Sequence, residues 1–122
     1  MHIDSSRFPL VWMSSCGPSN WEPELNALLS RGEPFLLLTR DRPDREHDAD
    51  GRDRKRLALW FKSNRDQLKR VCAGSIVIVS SEVIALPLRA LVVPLGRAFG
   101  YPVRVTTEDR LGAEIATLLK QF

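Results

Sequence analysis

The run "SIVIVSS" (75–81) decides the fold of this chain. Four consecutive Ile and Val residues stand between small polar ones, with no alternation of apolar and polar. A strand wet on one face alternates. One that does not is covered on both faces, as in a parallel sheet lying between helices. Before it, residues 52–73 read as a long helix. Leu57, Trp60, Phe61, Leu68 and Val71 share one face at helical spacing, Asn64 interrupts that face, and Gly74 ends it. Further back, "PFLLLT" (34–39) is a second doubly apolar strand and "FPLVWMSS" (8–15) a first. Between these two, "SNWEPELNALLSRG" (19–32) has helix grammar. Ser19 or Asn20 can cap, Pro23 fits the first turn, Leu25, Leu28 and Leu29 form a stripe, and Gly32 stops the helix.

On the carboxyl side, a third helix lies between Glu82 and Phe99, opened or bent at Pro87, kinked at Pro94 and ended by Gly100. "YPVRVTT" (101–107) is a fourth strand. Arg104 alternates with Val103 and Val105, which predicts a wetter strand near the sheet edge. Thr107 caps a last helix striped by Leu111, Ile115, Leu118, Leu119 and Phe122. Strand and helix thus alternate four times. The expected fold is α/β, with four mainly parallel strands and four helices, in one domain over 1–122. Ligands of such sheets sit in the loops at the carboxyl ends of the strands.

Composition sets broad limits. The chain has 122 residues, 43% hydrophobic and 27% charged, with a net charge of +3, which is ordinary for a globular domain. The start lacks a basic region leading into an apolar run, so the expected compartment is the cytoplasm and the thiols of Cys16 and Cys72 are expected free. Cys72 reads as a small buried hydrophobe. The longest apolar stretch (83–99) is broken by Pro87, Arg89, Pro94 and Arg97, so it does not read as a membrane span.

Catalytic motifs fail one at a time. Cys16 follows a strand and precedes a helix, but the position where a phosphatase loop needs its arginine is Glu22. The histidines are His2 and His47, with no G-x-S-x-G elbow to serve. Neither a glycine-rich phosphate loop nor a zinc pattern occurs. Residues 46–51 imitate part of a calcium loop through Glu46, Asp48, Asp50 and Gly51. The closing position is Leu57, however, and Arg52 and Arg54 oppose a cation. No metal or cofactor is expected. The stretch 41–56 holds six acids and six bases and reads as a solvated crossover, flexible over 41–52. From Gly51 to Val71, eight bases oppose two acids, a balance of +6. That is an electrostatic footprint for nucleic acid, but Trp60 and Phe61 belong to the buried stripe and acids stand just upstream. The third helix is apolar all round, which implies either burial in the core or a homodimer interface.

The last fifty residues, from "AGSIVIVSS" to "ATLLKQF" (73–122), resemble the carboxyl-terminal half of SpoIIAA-like (STAS) domains. There a strand, a helix, a short strand and a last helix follow in the same order at similar lengths. The resemblance implies a cytoplasmic α/β module that works by binding. Members of that family that act as anti-sigma-factor antagonists carry a phosphorylatable serine in a D-S-x-G-type turn. No serine or threonine lies between Asp41 and Arg56, so that switch does not carry over.

The leading expectation is a non-enzymatic, SpoIIAA-like interaction module with a protein partner or a second copy of itself. Its candidate interaction residues are Arg52, Arg54, Arg56, Arg65, Leu88 and Val92. The first alternative is a small-ligand or anion site formed by Ser14, Ser15, Cys16 and Asn20 beside Ser80 and Ser81, provided their strands are neighbours. The second is nucleic-acid binding by the basic helix 52–70.

Overall fold

The doubly apolar runs do form the middle of a parallel sheet. A computed structural model describes residues 2–14, 20–40 and 51–122. Its strands are β1 (His2–Arg7), β2 (Leu10–Ser14), β3 (Phe35–Arg40), β4 (Cys72–Val79) and β5 (Val103–Thr107). Its helices are α1 (Trp21–Arg31), α2 (Gly51–Ser63), α3 (Arg65–Val71), α4 (Glu82–Phe99) and α5 (Leu111–Gln121), with a 3-10 turn at Glu108–Arg110. The sheet order is β1-β2-β3-β4-β5. β2 to β5 run parallel, each beside its predecessor, and β1 is antiparallel to β2.

The two faces are covered unequally. Val11, Phe35 and Leu37 point toward Trp21, Leu25, Leu28, Trp60, Phe61 and Leu68 of α1, α2 and α3. Farther along the same face, Val79 and Val105 meet Ala85 and Val92 of α4. On the opposite face, Leu36, Leu38, Ile76 and Ile78 are covered by Leu111 and Leu118 of α5. Four helices therefore share one face and one helix holds the other. Aromatic rings join the crowded side from Trp60 to Phe61, Phe99 and Tyr101, with centroids 5.3, 5.4 and 5.8 Å apart. At the strand entry, a side chain at Gly74 would lie 3.0 Å from Leu118 Cδ1 and from the Pro102 carbonyl, so this close approach requires glycine.

Three expectations change. The sheet has five strands rather than four, because His2–Arg7 forms an additional edge strand. Only Ile3 turns an apolar side chain inward there, so the period-2 signal is too thin to read. The long helix is split at Asn64, whose Nδ2 donates to the Trp60 carbonyl at 2.9 Å. The same carbonyl also accepts the Asn64 N–H at 3.0 Å, so the side-chain bond shares the helical acceptor at the junction of α2 and α3 without displacing the ladder. The helix then ends at Val71, so Cys72, Ala73 and Gly74 belong to β4. The charged loop lies outside the described residues except at its end, where residues 51–52 already belong to α2. The glycine stops hold: Gly32 and Gly100 end α1 and α4 with φ of 71° and 83°, the left-handed conformation glycine adopts without strain. No helix among the described residues is long and apolar enough to cross a membrane.

Thr106 is 1% exposed on the α5 side, and its hydroxyl has no hydrogen-bond partner among the described residues. Thr106→Val keeps the β-branched shape and removes the unsatisfied group. It should raise the free energy of unfolding by about 1 kcal/mol in urea denaturation.

Candidate functional site

The carboxyl ends of β2 to β5 meet at one edge of the sheet, where α/β proteins place their ligands. The charged groups described there are closed on one another. Arg40, at the end of β3, donates to Glu108 at 2.6 Å and lies 4.3 Å over the Trp12 ring. At the start of α4, Glu82 receives Arg89 through both oxygens at 2.9 and 3.2 Å, with Arg110 at 3.7 Å. The Thr107 hydroxyl donates to Asp109. Hydrogen bonds from Arg89, Arg40 and Thr107 hold Glu82, Glu108 and Asp109 below the usual carboxylate range. The three carboxylates are balanced by Arg40, Arg89 and Arg110, and those arginines are already engaged by them.

The described serines stand on strands that are not neighbours. β3 stands between β2 and β4, so the condition that those strands be neighbours is not met. Ser14 at the end of β2 and Ser80 after β4 are thus two strand spacings apart, roughly 10 Å. Ser14 is half-buried and aligned with His2 of β1; Ser80 is exposed and Ser81 stands at the N-cap of α4. Ser15 and Cys16 lie outside the described residues, as do Glu46, Asp48 and Asp50 of the calcium-like pattern. Among the described residues, no group of three or more His, Cys, Asp or Glu is placed to hold a metal ion.

Asn20 is committed elsewhere. Its Oδ1 accepts from the Ile3 N–H at 2.7 Å and its Nδ2 donates to the Ile3 carbonyl at 3.1 Å. Ile3 is on β1, whose outer edge has no neighbouring strand among the described residues. One carboxamide thus does what a further strand's peptide group would do. At the opposite edge, Arg89 Nε donates to the Val105 carbonyl of β5 at 3.3 Å. Each edge strand thus has one residue, Ile3 or Val105, whose backbone is met by a side chain.

The candidate interaction residues divide. Arg52 and Arg54 fall in α2, with side chains outside the described set. Arg56 pairs with Glu22 at 2.6 Å, beside an open groove of about 400 Å³ lined by Asn20, Trp21, Glu22, Pro23, Asn26 and Arg56. Arg65 donates to the Ala98 and Arg97 carbonyls at 2.9 and 3.2 Å, capping the carboxyl end of α4. Leu88 and Val92 point at the sheet and pack with Val79 and Val105, so they serve the core. Sequence reasoning gave this helix as core or interface without naming its exposed side, where helical spacing sets Val83, Pro87, Ala90 and Pro94 in a line. It also missed Leu59, which is 63% exposed on α2.

Two expected outcomes test these assignments. Asn20→Ala leaves two backbone groups of Ile3 unpaired; it should cost about 1–3 kcal/mol in urea denaturation and speed exchange of the Ile3 amide hydrogen. Cys72 is 1% exposed, and burial pushes its thiol up from 9.0 to about 12. The folded chain then holds a proton that the unfolded chain releases, so this contribution to stability is intact below pH 9 and is lost as pH rises toward 12. The stability difference between the wild type and Cys72→Ala should therefore shrink above pH 9, measured by urea midpoints across that range.

The chain matches no protein-family model, no curated protein and no solved structure.

Proposed function

We propose that this chain is a non-enzymatic protein-interaction module of SpoIIAA-like architecture, and that the outward face of α2 receives its partner. The observation that carries the reading is Leu59, a large apolar side chain left 63% exposed on a helix. Lys55 and Lys62 stand four residues before it and three after it, both exposed, so they share its face. Arg56 adds a further cation, 60% exposed although paired with Glu22. An apolar contact ringed by cations fits an acidic protein surface with a hydrophobic residue at its centre. The order β4, α4, short β5, α5 supports the architectural likeness.

Neither alternative gains a carrying observation. An anion site would have to form beside Glu82, Glu108 and Asp109, with its serines on non-adjacent strands. For nucleic acid, two of the eight bases counted over 51–71 are already engaged, Arg56 by Glu22 and Arg65 by helix carbonyls. Trp60, which could have stacked on a base, is buried and donates its Nε1–H to Asn26 at 2.8 Å.

The test is capture of partners from a lysate of the native cell on the immobilised chain, with salt varied. Proteins retained by the wild type should be lost at least about tenfold by Leu59→Glu with Lys62→Glu, as expected for a central apolar anchor. Equal retention by that variant, or retention of nucleic acid alone, sinks the reading.

A further inference from the structure

Asn20 stands at the start of α1 but does not cap it. Its carboxamide goes to both backbone groups of Ile3 on β1, and it makes no side-chain bond to the amides of the first turn. A first turn without a side-chain cap opens more easily than the rest of its helix. Opening of this one carries Asn20 away from β1. Whatever holds the turn in place therefore also keeps the Ile3 edge covered.

The described contacts that hold it are of two kinds. Trp21 is buried in the core at 3% exposure, and Ser5 Oγ of β1 donates to Glu24 at 3.4 Å. Both lie between the turn and the body of the protein. The other contact faces outward. Arg56 of α2 donates to Glu22 at 2.6 Å, and its guanidinium carbon lies 5.5 Å from the centre of the Trp21 ring. The Arg56 side chain is 60% exposed and that of Glu22 43%. Both line the open groove of about 400 Å³ between α1 and α2, which is large enough for an entering carboxylate side chain to reach the pair. Arg56 also stands beside Leu59, Lys55 and Lys62, on the helix face to which an acidic partner is assigned above.

We propose that Arg56 is a latch between α2 and the β1 edge. Held by Glu22, it keeps the first turn of α1 closed and Asn20 on Ile3. Drawn away by an acidic group at the α2 face, it releases the turn and uncovers the N–H and C=O of Ile3. Asn20 is then an autoinhibitory occupant of the edge, and occupancy of α2 is read out at a strand on the far side of α1. The trigger rests on the reading of α2 as the interaction face, whereas the latch is present in the free chain.

Amide hydrogen exchange, followed residue by residue, tests both parts. At low urea the Ile3 rate should stay flat while that of Leu36, whose N–H donates to the Pro9 carbonyl at 2.9 Å in the covered sheet, should rise; this separates a local opening from a global one. An exposed ion pair is weak, so Arg56→Gln should speed Ile3 exchange only about two- to fivefold. The Gly100 amide, bonded to the Gly96 carbonyl at the end of α4, should keep its rate. Arg56→Lys retains the charge and should keep most of the protection. Glu22→Arg combined with Arg56→Glu should restore it. Poly-L-glutamate, added at constant ionic strength, should bring the wild type to the Ile3 rate of Arg56→Gln and leave that variant unchanged.

An Ile3 rate indifferent to Arg56→Gln overturns the latch, as does one that shares the urea dependence of Leu36 or a change that appears equally at Gly100. A wild-type Ile3 rate that poly-L-glutamate leaves unchanged overturns its control by an acidic group. Exchange in the free variants does not depend on capture through Leu59, so the latch and the interaction face fail separately.

Discussion

The pairing of β3 with β4 is the constraint on which the rest of the protein depends. Both strands are apolar on both faces: Leu36 and Leu38 point one way, Phe35 and Leu37 the other, and each is fully buried. Such a pair must be covered twice, and the two covers differ in kind. Parallel strands laid down in sequential order by right-handed crossovers send every connecting helix to the same side. α1 to α4 therefore crowd one face, and the other is left for α5, which follows the last strand. The tight spots follow from this arrangement. Gly74 lies under Leu118 of α5, and Gly96 of α4 lies beside the backbone of Tyr101 and Val103, with 3.3 Å between a would-be side chain and the Tyr101 carbonyl.

With the core arranged in this way, the polar side chains serve closure more than chemistry. Asn26 holds the indole of Trp60, Asn64 ends α2, Arg65 caps α4, and Arg40 is held by Glu108. Each of these is a residue type that a reader of catalytic or binding sites would single out. Each spends its donors or acceptors on the chain's own backbone or on a neighbouring side chain. Among the described residues, the large apolar side chains left exposed are Leu59 on α2, Val83, Ile84 and Leu86 on α4, and Phe122.

How much of this was legible depends on how local each signal is. β3 and β4 were plain because burial on both faces writes itself as an unbroken apolar run. Gly32 and Gly100 were plain because a left-handed residue closes a helix within one turn. β1 was hidden because an edge strand needs only one inward residue, Ile3, and its existence is settled by β2 rather than by its own sequence. The Asn64 break was half visible, as an interruption of the apolar face. The serine loops, the destination of Arg65 and the role of Asn20 depend on which elements lie side by side, and spacing along one chain does not carry that. Leu88 and Val92 show a subtler failure. A helix apolar all round was read as either core or dimer interface, and the residues named for its partner are those of its inner side.

The carboxamide of Asn20 ties two processes that are usually separate. It belongs to the residue at the N-cap of α1, so β1 is shielded only while the first turn of that helix is docked. Local fraying of α1 needs far less free energy than global unfolding, and it bares the N–H and C=O of Ile3 in an otherwise native sheet. The rate at which this protein forms strand-to-strand aggregates should then follow the opening of one helical turn and be insensitive to the stability of the core. Improving the core would leave that rate unchanged, whereas anchoring the start of α1 would lower it.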